Sequence, residues 1–227
     1  MRAMGASLGE LEVTAENKTR LLMLCYQLAG GSGALTIASV MKRLAALPEI
    51  CNELVELADY LDARTSRVYV RLPGLSETAL RLHSAYNIRE ILAAIGYYTE
   101  TTASPFQAGV LRLNEQKTEL LFVTLDKSEA LHEGVAYDDY AISRSLFHWQ
   151  SQATTRPNTP TGRRYIEQAQ NGWQFQLFVR LNKQSPYRAC GPVDFVSYHG
   201  SQPMNITWQL REPLTDELFQ AFSVIRG

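Results

Sequence analysis

Apolar positions recur at helical spacing through the first hundred residues and at every second residue beyond about Pro105, and that change of period divides the chain. Leu21, Leu22, Leu24, Cys25 and Leu28 fall on one face of a first predicted helix, entered through the polar run Glu16 to Arg20 and stopped by Gly30-Gly31-Ser32-Gly33. A second helix is predicted over Thr36–Leu47, with Ile37, Val40, Met41, Leu44 and Leu47 as its stripe; Pro48 marks a new start. Asn52–Leu61 repeats the pattern through Leu54, Leu57, Ala58 and Leu61, and Ile88–Ile95 gives a short fourth helix ended by Gly96. These elements predict a small helical bundle as a first, connecting domain over 1–104.

Val110, Leu111 and Leu113 then lead into Glu119-Leu-Leu-Phe-Val-Thr-Leu125, an apolar run too short for a typical globular helix and rich in strand formers. Further strands are predicted over Ser145–Gln150, Trp173–Leu181, Gly191–Tyr198 and Asn205–Leu210. Turn signals separate them at Glu133-Gly134, Pro157-Asn158, Pro160-Thr161-Gly162, Asn171-Gly172, Ser185-Pro186 and His199-Gly200-Ser201. One helix is inserted at Gly162–Ala169, and another closes the chain at Thr215–Val224. The expectation is an α+β protein in which the helical bundle is followed, over 105–227, by a β-rich barrel or pseudobarrel rather than a parallel α/β sheet.

Composition changes this picture little. A net charge of -1 excludes a protein that coats nucleic acid through bulk charge, so any DNA contact must come from a local patch. Cys25, Cys51 and Cys190 are too scattered for a disulfide framework or a zinc site, and His83, His132, His148 and His199 have no metal-ligand spacing. No apolar run is long enough to span a bilayer and the start lacks a signal peptide, so a reducing cytoplasm is the expected location and no cofactor is expected.

Candidate chemistry concentrates in the second half. In Ser145-Leu-Phe-His-Trp-Gln-Ser-Gln152, strand alternation sends Phe147 and Trp149 to one face and His148, Gln150 and Gln152 to the other. A row of amides and an imidazole is chemically fit to read base edges, since glutamine pairs bidentately with adenine; a solvated outer face is the plainer alternative. The polar segment Thr154 to Tyr165 carries Arg156, Arg163 and Arg164. Between positions 144 and 188, Arg144, Arg180, Lys183 and Arg188 join them against one acid, Glu167. Arginines beside threonine hydroxyls suit phosphate, or simply keep a loop soluble. Most aromatics should be core, while Tyr165, Tyr187 and Tyr198 lie near turns, where Tyr165 or Tyr198 could stack on an extruded base. No Gly-x-x-x-x-Gly-Lys loop occurs, so a complete helicase is excluded. Glu119 with Asp126 and Lys127 leaves a weak metal-dependent nuclease reading open.

From about Ala15 onward the chain resembles a domain of unknown function at the C-terminus of bacterial DEAD/DEAH-type helicases. The resemblance rests on Leu121-Phe-Val-Thr-Leu-Asp-Lys-Ser128, Tyr137-Asp-Asp-Tyr-Ala-Ile-Ser143, Phe147-His-Trp-Gln-Ser-Gln152, Pro160-Thr-Gly-Arg-Arg-Tyr165, Leu177-Phe-Val-Arg180 and Gly200-Ser-Gln-Pro-Met-Asn-Ile-Thr-Trp208. Many such polypeptides carry a phospholipase-D-type nuclease before the helicase motor, and some resemble modification-dependent restriction enzymes. The resemblance implies a non-catalytic domain that reads the target, 5-methylcytosine in duplex DNA, for helicase and nuclease domains or subunits. It carries motif membership onto His148, Gln150, Gln152, Arg163, Arg164, Tyr165, Arg180 and Asn205, and no catalytic set. The expected DNA-binding residues are therefore these eight with Thr154, Arg156 and Tyr198. A protein-interaction module coupling helicase to nuclease is the rival reading.

Overall fold

The computed structural model describes residues 13–14, 17–29, 34–64, 70–106, 109–125 and 139–223. The turn at Glu133-Gly134, the Gly30–Gly33 joint and His132 lie outside them. Two compact units result, one of Met1–Arg71, Glu77–Leu80 and Asn87–Pro105, the other of Leu72–Ser76, Arg81–Tyr86 and Phe106–Gly227.

The first unit holds α1 (Lys18–Leu28), α2 (Ile37–Ala45), α3 (Pro48–Arg64) and α4 (Ile88–Ala94). The Thr36 hydroxyl caps α2 by accepting from the Ser39 N–H, so the expected start at Thr36 becomes the cap and the helix begins one residue later. Before α4, the Glu90 carboxylate accepts from the Asn87 N–H at 2.8 Å. Leu21, Leu22 and Cys25 of α1 and Ile91 and Leu92 of α4 are buried. The Tyr26 hydroxyl donates to the Thr99 carbonyl at 2.8 Å, and the Arg89 guanidinium lies 4.8 Å from the Tyr26 ring centre.

The second unit is one mixed sheet: β1 (Ala85–Tyr86), β2 (Val110–Leu113), β3 (Thr118–Thr124), β4 (Tyr140–Ala141), β5 (Leu146–Gln150), β6 (Gln174–Arg180), β7 (Tyr187–His199) and β8 (Asn205–Leu210). Its order is β2-β3-β6-β7-β8-β5-β4, with β1 paired to the start of β7. Only β3 and β6 run parallel among the described strands. The protein is thus α+β, with N-terminal helices ahead of a strand-rich region and the helix α7 (Asp216–Phe222) near the end. The barrel expectation is realised as a sheet with two ends, since no ladder joins β2 to β4 among the described residues.

Alternation sorts each strand between the sheet's two faces. One face, here called inner, carries Leu121 and Val123 of β3, Phe147 and Trp149 of β5, Phe175, Leu177 and Val179 of β6, and Ile206, Trp208 and Leu210 of β8. The insertion forms two short helices, α5 (Pro160–Ile166) and α6 (Gln168–Asn171), where one was expected. Tyr165 of α5 and Leu218 and Phe222 of α7 complete this core. The run Leu120–Val123 is apolar throughout because β3 is covered on both sides. Its Phe122 stacks on Phe178 at 5.4 Å and meets Tyr187 edge-on at 5.3 Å on the outer face. Leu72–Ser76 and Arg81–Tyr86 add to that cover: Gln176 Nε2 donates to the Pro73 carbonyl at 2.9 Å, and the Leu82 side chain closes over Gly191. No helix among the described residues is long and apolar enough to cross a membrane.

Candidate nucleic-acid interface

Because β5, β8 and the end of β7 are neighbours, the ladder register decides which polar side chains share a surface. His148 pairs with Thr207 and Gln150 with Asn205; Ser197 and His199 of β7 pair with Thr207 and Asn205, and Tyr140 pairs with His148. Directly opposed residues point the same way, so Tyr140, His148, Gln150, Ser197, His199, Asn205 and Thr207 form one outer-face strip. It contains no Asp, Glu, Lys or Arg side chain. It backs onto the Phe147, Trp149 and Trp208 layer, which fixes the strands that carry it.

The strip has internal order. Gln150 Nε2 donates to Asn205 Oδ1 at 2.8 Å, and the Gln150 backbone N–H is held by Asp139 Oδ1 at 2.8 Å. The amide pair presents an acceptor, Gln150 Oε1, beside a donor, Asn205 Nδ2, which is the pattern one glutamine offers an adenine edge. The Tyr140 ring stacks on the His148 imidazole at 5.0 Å and 20°, and the His199 ring lies 6.1 Å from His148. His148 is only 8% exposed, so it supports Tyr140 and His199 instead of meeting a ligand itself.

The strip continues over the end of the sheet. The Ser151 N–H donates to the Met204 carbonyl and Ser151 Oγ accepts from the Met204 N–H, both at 2.9 Å, which ties the loop after β5 to the loop before β8. On this rim Gln152 and Thr154 are exposed, and Arg156 Nε donates to Gln202 Oε1 at 2.9 Å. Gly162 locks the rim to α5: a Cβ there would stand 2.0 Å from the Arg156 carbonyl oxygen. Arg163 is exposed on α5.

Several expected contacts are corrected. Tyr165 is buried among Trp149, Phe175 and Trp208, and its hydroxyl donates to Glu119 Oε1 at 2.7 Å, so it cannot stack on a base. Burial, aided by the Glu119 carboxylate, drives the Tyr165 phenol well above its ordinary range. Arg164 Nε donates to Glu119 Oε2 at 2.8 Å, and its guanidinium lies 4.9 Å from the Trp173 ring centre, which removes it as a phosphate ligand. Tyr165 places α5 against the inner face, whereas Gln150 and Asn205 lie on the outer face, and with Arg164 bound to Glu119 the expected patch of amides with both arginines loses Arg164. Tyr198, by contrast, stays 40% exposed; it pairs with Ile206 on the Trp208 side, beside Phe195. Arg180 is held by Thr124 Oγ1 at 2.8 Å, by the Lys183 carbonyl and by the Tyr187 ring, away from the strip. Glu119 is engaged through both oxygens by Arg164 and Tyr165, and Asp126 and Lys127 lie outside the described residues. No group of three potential metal-ligating side chains occurs among the described residues.

Tyr140, His199, Thr207 and Gln202 were not singled out from sequence. Their place in the site depends on ladder register and a loop-to-loop contact, and strand alternation alone contains neither.

Residues 80–222 match the family model described as a domain of unknown function, DUF3427. The chain belongs to that family. The matched segment contains the strip, its rim and the core beneath them. No curated protein matches the chain.

Proposed function

We propose that the DUF3427 segment is a target-recognition module for duplex DNA, serving a restriction-type helicase and nuclease and reading modified cytosine. The observation that carries the reading is the hydrogen-bonded Gln150–Asn205 amide pair, set in a strip without Asp, Glu, Lys or Arg and with Arg156 on its rim. Amides discriminate base edges, whereas a guanidinium on the rim gains from phosphate without regard to sequence. Tyr140, held flat on His148, offers the apolar surface on which a 5-methyl group would rest. The restriction context and the preference for methylated cytosine follow from the resemblance to helicase-associated domains, in which neither motor nor nuclease can select the target. No catalytic step is assigned to this chain.

Binding of the full chain to unmodified, 5-methylcytosine and 5-hydroxymethylcytosine duplexes, titrated across salt, tests the proposal. Affinity should fall with rising salt, and Arg156→Ala should flatten that slope by about one contact while weakening all duplexes alike. Asn205→Ala should shift preference among duplexes by about 1–3 kcal/mol. A chain that binds no duplex at low salt overturns the reading, and the protein-interaction rival then stands.

A further inference from the structure

Arg156 differs from three other arginines of the second unit in what holds its head. Arg144, Arg164 and Arg211 each lie on a carboxylate, of Asp216, Glu119 and Asp194, at 2.9, 2.8 and 2.7 Å, so their charge is compensated within the fold. Arg156 is exposed, has no ion pair among the described residues, and donates through Nε to the Gln202 side-chain carbonyl at 2.9 Å. A neutral amide thus fixes the guanidinium without cancelling its charge. Because that bond uses Nε, both terminal amino groups of Arg156 remain to donate, and Gln202 Nε2 is a further donor beside them. The root of Arg156 is as fixed as its head. Its carbonyl accepts from the Thr159 N–H at 3.0 Å and from the Thr159 hydroxyl at 2.7 Å. Gln202 stands on the loop between β7 and β8, which Met204 ties to the buried Ser151. Gly200, in the same loop, is packed on the base-reading pair: a Cβ there would stand 3.0 Å from Asn205 Nδ2.

We infer that Gln202 is the positioning residue of a phosphate site formed with Arg156. It aims the guanidinium, adds an amide N–H, and sets the distance from that site to the Gln150–Asn205 pair. The ligand is a backbone phosphodiester of the duplex, whose unesterified oxygens match the parallel donors Nη1 and Nη2 of Arg156. A guanidinium held at root and head gives up little freedom on binding, and a phosphate contact of fixed position sets the register in which neighbouring amides meet base edges. The inference rests on the reading of the adjoining strip as a duplex-DNA surface.

Fluorescence anisotropy of the full chain with a labelled unmodified duplex, titrated across salt, tests this role. Gln202→Glu keeps an acceptor for Arg156 Nε but sets a carboxylate on it. The slope of log affinity against log salt should then fall by about one phosphate contact, as with Arg156→Ala. Gln202→Ala leaves the charge and frees the side chain, so the slope should hold while affinity drops about threefold to tenfold. Arg156→Lys should behave as Gln202→Ala does, because an ammonium keeps the charge but lacks the planar fork. Arg156→Lys combined with Gln202→Ala should cost no more than either alone, the mark of two groups acting as one. Salt-sensitive binding that neither Gln202 variant alters overturns the inference and leaves the duplex reading standing. Losses that add in the double variant, or a Gln202→Ala slope as flat as that of Gln202→Glu, overturn the positioning role. A wild-type chain that binds no duplex overturns inference and reading together.

Discussion

Glu119 shows how much one side chain can decide. It sits at 0% exposure on the inner face of β3, and two neighbours from α5 spend their polar groups on it: Arg164, itself largely buried, and Tyr165. Taking a carboxylate out of water is costly, and this double satisfaction offsets the desolvation. Glu119→Ala would strand a buried guanidinium and a buried phenol, so we expect a loss of about 3–5 kcal/mol, read as a lower urea midpoint. The same burial sets an alkaline limit. Burial pushes the Cys25 thiol up to about 11 and the Cys190 thiol up to about 12, against an ordinary 9.0. Between pH 9 and those values the unfolded chain releases thiol protons that the folded chain retains, so unfolding is favoured as pH rises. Each such thiol contributes about 1.4 kcal/mol of lost stability per pH unit in that window. Cys190→Ala should therefore show a shallower decline in stability above pH 9, measured by denaturant titration at successive pH values.

Among the elements, α5 links the core to the rim. Thr159 Oγ1 caps it by accepting from the Gly162 N–H at 3.1 Å, and Pro160 occupies its first turn. In an ordinary helix Gly→Ala gains close to 1 kcal/mol. Here the new Cβ would meet the Arg156 carbonyl oxygen and carbon and Pro157 Cα, all backbone that cannot swing aside. We expect Gly162→Ala to cost about 1–3 kcal/mol by overpacking, with the sign read directly from chemical denaturation. Displacing the Arg156 loop should weaken DNA binding in the same variant. Gln168 has a parallel role on α6: where β7 outruns β6, its amide donates to the Val193 carbonyl and accepts from the Phe195 N–H, covering a bare strand edge. Alternation and turn residues made β5 and β8 legible from sequence, whereas β3 was legible as a short apolar run rich in strand formers, buried on both faces. The two-residue strands β1 and β4 were not legible, since a pair of residues carries no period. The parallel partnership of β3 and β6 was also hidden: parallel pairing is set by a crossover some fifty residues long, which local patterning does not encode. The strip was half legible for that reason. His148, Gln150 and Asn205 could be named from their own strands, but only the register shows that Gln150 and Asn205 touch and that His148 lies beneath Tyr140.

At the scale of the whole molecule, the change of hydrophobic period near Pro105 marks where the strand-rich sequence begins, but the second unit begins earlier. Leu72–Ser76 and Arg81–Tyr86 belong to it. Leu72 is fully buried, β1 pairs with the start of β7, and the His83 N–H donates to the Ala189 carbonyl at 2.8 Å. Close approach explains the glycine at 191: with φ +92 and the Leu82 methyl 3.0 Å from where a Cβ would stand, the strand admits Leu82 only because no side chain is present. A fragment cut at the change of period, residues 105–227, would therefore lose Leu72, Leu82, β1 and the acceptor of the Gln176 amide together. Losing one buried leucine side chain alone costs about 2–5 kcal/mol, comparable to the whole stability of a small domain. We expect that fragment to bind a hydrophobic dye and to lack a cooperative thermal transition, whereas a fragment beginning at 70 should unfold cooperatively. If both melt alike, Leu72–Ser76 and Arg81–Tyr86 contribute nothing to the second unit's stability, and the packing at Gly191 is incidental.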